Sequence, residues 1–422
     1  MTGPVIDDAG ERTVTTDRRA RTGATAFYLV QGLCFAGLLA QVPTLQDGLG
    51  MSDGTLTIVL LLVPVVAGAG SVLAGTLAPR TGSAALLRVA GPLVAVAVLG
   101  TALAPSTAVL LPVVAVVGLL LGVVDATMNM QGVAVERRYR RSLLNSFHGA
   151  WSVGGILGSL AAVLAHSLDW GLVAGLGLVA AVAVVVDLVA APLLPAGRAQ
   201  DAVTAASGAG PGAHDGGASG VGGEGSATPV PWRPILLVGT AVAIVYLADS
   251  AASSWSTKYI SDVLHSADNV APLGLAAYLG CQLLGRLAAD GQVNRFGPVR
   301  PVAVGGIVGA AGLGLVAVAP TPWVAVVGFG LTGLGLSVVV PLSFSVAGAL
   351  DTSGVAVARV NLFNYVGFVL GAGVIGGVAE LADLRWAFAV PAVLALGVVA
   401  LAPAYRVAAR RETVPTVAAR PR

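Results

Sequence analysis

Residues 107–141 read TAVLLPVVAVVGLLLGVVDATMNMQGVAVERRYRR, and this stretch decides the fold class. From Thr107 to Val124 no side chain is charged; Asp125 follows, and Glu136 leads into Arg137, Arg138, Arg140 and Arg141. A helix needs about 20 mostly apolar residues to cross the hydrocarbon core of a bilayer. The run therefore predicts a membrane-spanning helix over 107–131, with its arginines held on the cytoplasmic side. The rest of the chain agrees. Of 422 residues, 56% are hydrophobic and only 10% charged, whereas a soluble domain carries about 25% charged residues. Most of the surface must face lipid.

Windows of the same length predict further spans at 23–44, 55–78, 86–104, 147–166 and 170–192. A second group follows at 234–256, 270–289, 300–319, 322–346, 355–379 and 385–405. None shows the ten-residue alternation of an outer-membrane barrel strand. Residues 1–22 are polar and mixed in charge, unlike a signal peptide, so the first apolar run is expected to remain as an anchor. With the N-terminus inside, 21 of the 23 basic residues fall on the inner side, and only Lys258 and Arg385 fall outside. A missed span would scramble that sorting. The expectation is an all-α protein of the cytoplasmic (inner) membrane with twelve spans and both termini cytoplasmic.

The spans divide into matched halves. Residues 196–232, rich in Gly, Ala, Ser and Pro, read as a flexible cytoplasmic linker. It joins a six-helix bundle at 23–195 to a second at 233–408, with tails at 1–22 and 409–422. Gly75-Thr-Leu-Ala78 returns as Gly285-Arg-Leu-Ala288, and Arg80-x-Gly82 returns as Arg295-x-Gly297. Phe147, Gly155, Leu168 and Trp170 match Phe363, Gly371, Leu384 and Trp386 at one constant offset. Two related six-span bundles are the layout of a rocking transporter with its solute site between them near mid-membrane.

At this point the chain resembles the major facilitator superfamily, and within it the fucose-permease-like branch and related inner-membrane permeases. Asp125-x-x-Met128-Asn129-x-Gln131-Gly132, Val135-Glu136-Arg137 and Phe147-His148-x-x-Trp151-Ser152 carry the likeness to that branch. Gly285 to Gly297, with Asp290 and Arg295, resembles the superfamily's loop signature, and Asn364-Tyr365-x-Gly367-Phe368-x-x-Gly371 its eleventh span. The first-half loop departs by placing Pro79 where the acid belongs, and Gln41 stands where relatives often have Arg. The seventh span has Asp249 and Ser254 where the usual pattern has two acids. The resemblance implies a twelve-span carrier without cofactor or resident metal, acting as a monomer on a small-molecule substrate with protons as coupling ion. It also implies a gate in which Asp290, within Gly285–Gly297, faces the start of the fifth span; the alternative is a local ion pair of Asp290 with Arg295.

An ionisable group within a span costs about 2.5–3.5 kcal/mol at mid-helix, so it is a functional candidate by default. Gly122, Asp125, Asn129 and Gly132 share one helical face, where Asp125 either carries a proton or staples two helices through Asn129. His148 opens the fifth span and either exchanges protons with Asp125 or caps the helix at the interface. Asp249 shares a face with Tyr246, Ser253 and Ser256; it binds a solute or proton, or it snorkels outward to Lys258. Asp187 is expected to reach the headgroups. Tyr28, Gln31, Gln282, Asn361, Asn364 and Tyr365 line a cavity or bond helix to helix. Trp151 and Trp255 either stack on a solute or anchor at the interface. Four Gly-x-x-x-Gly pairs, beginning at Gly118, Gly154, Gly367 and Gly373, permit close helix crossing.

Other functions are excluded by what they would need. Net charge of +2 gives no general attraction for nucleic acid. Cys34 and Cys281 lie in apolar runs and suggest neither a disulfide nor a metal site. Lys258, the one lysine, has no P-loop around it, so the chain is no ATP-driven pump. Four scattered histidines argue against a membrane-embedded enzyme, and small tails against a sensor. The reading is a proton-coupled secondary transporter for a sugar-like or small polar metabolite; the alternative is a proton-driven exporter of a drug or secondary metabolite, and the direction of transport stays open.

Overall fold

The computed structural model describes residues 8–195, 231–267 and 270–406, and among these the regular structure is helix. The first half comprises α1 (Asp8–Ala40), α2 (Val42–Leu49), α3 (Asp53–Thr81), α4 (Ser83–Ala102), α5 (Thr107–Tyr139), α6 (Leu144–Ser167) and α7 (Leu172–Ala190). The second comprises α8 (Trp232–Lys258), α9 (Leu273–Phe296), α10 (Val299–Ala317), α11 (Pro322–Leu336), α12 (Val339–Leu350), α13 (Val355–Leu381) and α14 (Leu384–Leu401). The predicted tail segments 1–7 and 409–422 and residues 196–230 of the predicted linker lie outside the described residues.

Eleven segments among the described residues are long and apolar enough to cross a membrane. The predicted eighth span is present as α9 but is more polar than the others, since Gln282, Arg286, Asp290 and Arg295 all fall within it. The stretch from Gly285, expected as a loop, is helical through Phe296, and the turn comes only at Gly297. The predicted tenth span is broken at Ser337–Val338 into α11 and α12. Pro341 accounts for the break: it lacks an N–H, and its ring clashes with the carbonyl four residues back, at Ser337. The first span stops at Ala40 rather than 44, and α2 starts afresh with Pro43 in its first turn.

The halves pack alike. α1 lies on α6 as α8 lies on α13; α3 lies on α5 as α9 lies on α11; α4 touches α5 and α7 as α10 touches α11 and α14. The turns after α3 and α9 both need a glycine, Gly82 at φ 85° and Gly297 at φ 73°, conformations that residues with a Cβ avoid. Lipid gives no hydrophobic drive between helices, so association rests on close backbone approach. A methyl group on Gly122 would collide with the carbonyl of Ala67, on Gly154 with that of Leu29, and on Gly367 with that of Ala243. The fourth predicted pair does not serve this purpose: Gly373 and Gly377 have open space in front of them. Val96, Val163, Val189 and Val304 stand exposed around the outside, as a lipid-facing belt requires.

Hydrogen bonds that cross between the halves lie between mid-helix and the arginine-rich end. Ser71 donates to the Ala358 carbonyl at 3.0 Å and accepts from Asn361 at 3.2 Å. Arg137 donates to the carbonyls of Gly348 and Asp351, the latter at 2.9 Å.

Candidate functional site

Asp125 sits halfway between the two bundles. Its Oδ1 accepts from Gln31 Nε2 of α1 at 2.7 Å, and its Oδ2 accepts from the Tyr365 hydroxyl of α13 at 2.5 Å. Gln31 Oε1 in turn accepts from the Trp151 indole of α6. One turn along α5, Asn129 Nδ2 donates to the Asp125 backbone carbonyl at 2.8 Å, which fixes the orientation of the amide. Asn129 Oδ1 therefore accepts, from the Tyr28 hydroxyl at 2.8 Å and from His148 Nε2 at 3.2 Å. His148 is buried between Tyr28 and Phe344, with ring centroids 5.2 and 6.1 Å away. It is no interfacial cap. Its bond goes to Asn129, so the expected direct contact with Asp125 is replaced by a link through the amide.

The second bundle holds a matching carboxylate. Asp249 of α8 accepts at Oδ1 from the Tyr278 hydroxyl at 2.6 Å and from Gln282 Nε2 at 3.3 Å, both on α9. It does not reach Lys258, which pairs with Asp262 one turn further on. One turn beyond Gln282, Arg286 is 8% exposed, donates from Nη1 to Ser152 Oγ at 2.6 Å and lies 5.9 Å from the Trp151 ring centroid. Tyr246 lies within electrostatic reach of Asp125, Asp249 and Arg286 and joins the two sets. Asp125, Asp249, Trp151 and Tyr365 are half-buried. Ionisable groups at this depth face protein or a water-filled cavity rather than lipid.

At the arginine-rich end, Asp290 of α9 reaches across to the first turn of α6. Its Oδ1 accepts from Ser142 Oγ at 2.8 Å and Asn145 Nδ2 at 2.9 Å; its Oδ2 accepts from the Ser146 backbone N–H at 2.8 Å and the Ser146 hydroxyl. A carboxylate there satisfies amides that have no partner within the helix and meets the positive end of its dipole. Glu136 adds a second carboxylate to the same turn, accepting from the N–H groups of Leu143 at 2.9 Å and Leu144 at 3.2 Å. Arg295 instead lies 5.1 Å over the Phe296 ring, so no ion pair with Asp290 forms. A cavity of about 540 Å³ at this end is lined by Arg80, Arg88, Arg137 and Asp351 and includes none of the mid-membrane residues.

Other sequence expectations are placed differently. Asn361 and Asn364 are buried and bond to Ser71 and to each other, so they stitch α13 to α3 near the centre. Ser253 is exposed and Trp255 stands beside Gly376, and neither joins the Asp249 set. The seventh-span face was drawn from one helix alone, whereas the partners of Asp249 come from α9. Asp187 does not reach the headgroups: it is 1% exposed, packed against Gly91 and Phe27 with no hydrogen-bond partner among the described residues. Arg286 is masked in the sequence by the Gly285-Arg-Leu-Ala repeat and sorts there with the inner-side arginines. Its position exactly one helical turn from Gln282 was the available sign.

Residues 238–421 match the profile of the Major Facilitator Superfamily. An uncharacterised MFS-type transporter of Yersinia pestis is 29% identical, across 89% of this chain and 93% of its own length. An uncharacterised transporter of Sinorhizobium fredii is 28% identical, across 90% and 97%. The membrane protein MosC of Rhizobium meliloti is 25% identical, across 89% and 87%. Among solved structures, the MFS transporter FucP in the outward conformation superposes with a TM-score of 0.71 at 15% identity, covering 90% of this chain and 97% of its own. The proton:xylose symporter XylE gives 0.68 at 15% identity, covering 91% and 95%. At that identity the two structures share the fold.

Proposed function

From the match of residues 238–421 to the Major Facilitator Superfamily and the near-full-length likeness to an MFS-type transporter, we propose that the chain is a member of that superfamily and a proton-coupled secondary transporter, moving a sugar-like or other small polar metabolite across the cytoplasmic membrane by alternating access. The observation that carries this reading is the hydrogen bond from Tyr365 to Asp125, which joins one bundle to the other through an ionisable group at mid-membrane. While ionised, Asp125 accepts a charge-assisted bond that draws the bundles together. A proton on the carboxyl removes that charge, weakens the cross-bundle tie and spares the protein a charge within the membrane as the bundles rock. Asp249 offers a second carboxylate, and His148 holds Asn129 behind the first.

The arginine-rich end then acts as the closed cytoplasmic gate. Asp290 on α6 and Arg137 on the carbonyls of Gly348 and Asp351 are its latches. This arrangement corresponds to an outward-facing state, and the likeness to FucP in its outward conformation supports that reading. FucP is itself named a fucose:proton symporter and XylE a proton:xylose symporter, which supports proton coupling by analogy.

The test is purified protein in proteoliposomes containing a pH-sensitive dye, with a solute panel applied under an imposed pH gradient. Wild type is expected to move protons with one class of solute. Asp125→Asn is expected to abolish the proton movement, and His148→Ala to reduce it. Solute-linked proton flux that is unchanged in Asp125→Asn would overturn the proposal.

A further inference from the structure

Resting on the reading that the central site carries a solute, we infer that this solute is an anion, a small carboxylate whose acid group is gripped by Arg286. The guanidinium is nine-tenths buried near mid-membrane, yet its Nε has no acceptor. The one hydrogen bond from its side chain among the described residues is the 2.6 Å donation from Nη1 to Ser152 Oγ. Asp249, the carboxylate of the same bundle, is engaged by Tyr278 and Gln282 and makes no ion pair with it. A buried cation with an unpaired donor is costly unless an anion completes it.

The chemistry of the guanidinium narrows the ligand. Its planar fork matches a carboxylate with two parallel N–H donations, a fit that a neutral hydroxyl cannot reproduce. The Trp151 ring beside it offers a flat face for a planar group or for the C–H face of a sugar acid. Tyr246, within electrostatic reach of Arg286, adds a hydroxyl to the same neighbourhood.

The position also explains how binding would couple to movement. Arg286 belongs to the second bundle, whereas Trp151 and Ser152 belong to the first. A carboxylate on Arg286 that packs on Trp151 therefore bridges the bundles. It also arrives near Asp125 and Asp249, whose like charges oppose it. Anion and proton consequently favour each other's binding, and each must do so by the same factor.

The experiment uses full-length protein with four probes: benzoate and gluconate, and their neutral counterparts benzamide and glucose. In detergent, at least one carboxylate is expected to raise the melting temperature saturably while its neutral counterpart does not. Arg286→Lys keeps the charge but loses the fork, and is expected to weaken that binding by about tenfold or more. Arg286→Gln is expected to abolish it; if this variant fails to fold, the lysine variant carries the test. Binding of the neutral probes alone, binding of none, or carboxylate binding unchanged in both variants overturns the inference. Flux in proteoliposomes separates the two readings. Glucose moving under a pH gradient without carboxylate binding sinks the anion site and leaves the transporter, whereas carboxylate binding through Arg286 without any solute flux does the reverse.

Discussion

Tyr365 and Asp125 show how much one contact can decide. The Tyr365 hydroxyl is the second bundle's hold on the Asp125 carboxylate, whose other oxygen is held within the first bundle by Gln31. A hydrogen bond to a charged group contributes about 1.5–3 kcal/mol, enough to shift a two-state balance by roughly tenfold to a hundredfold. Tyr365→Phe is therefore expected to leave the fold intact and cut solute-driven proton movement by about tenfold or more, measured as initial rates in proteoliposomes. Wild-type rates in this variant would remove the tie from the mechanism. Asp125 and Asp249 were legible in the sequence because a charge in an apolar run must have a reason, and Asp290 through the loop signature that Gly285 to Gly297 resembles. Arg286 was hidden by its neighbourhood. It lies at the inner end of the predicted eighth span, sorted with the cytoplasmic arginines, and only packing reveals that its side chain is buried against Ser152 and Trp151.

Helix pairs depend on bare backbone where they cross. Gly122 packs on the Ala67 carbonyl and Gly154 on the Leu29 carbonyl, so any side chain there must separate the helices. Gly122→Leu is expected to lower the melting temperature, consistent with an overpacking cost of about 1–3 kcal/mol. Gly377→Leu, facing open space, is expected to leave it within error. Equal effects at both positions would contradict this division. Sequence spacing alone nominated both pairs, since Gly-x-x-x-Gly says that a close crossing is possible and not which crossings occur. The break at Ser337 was likewise missed: a proline early in a helix is tolerated, and only its separation from the preceding helix turns Pro341 into a boundary. The spans themselves were readable almost throughout, because the bilayer imposes length and apolarity on every one.

At the scale of the whole molecule, the two-bundle plan was legible from the repeat and from the arginines, which collect at one end. What the sequence withheld was the conformation. The cross-bundle bonds run from mid-helix to the arginine-rich end and leave the opposite end without one among the described residues, and no repeat or charge count reports that asymmetry. The sequence does show that Pro79, in place of the first-half acid, leaves Asp290 without a symmetric counterpart. On the equivalent side of the second bundle, Asp351 caps its own helix, accepting from the Ala356 N–H at 3.1 Å. The closed state should then hinge on Asp290. Spin labels at Thr81 and Thr352 report the arginine-rich end, and labels at Ser106 and Thr321 the opposite end. Pulsed distance measurements on both pairs, in wild type and in Asp290→Asn, test alternating access directly. The account predicts that the variant lengthens the Thr81–Thr352 distance and shortens the Ser106–Thr321 distance. Distances that stay fixed, or that lengthen together, would contradict it.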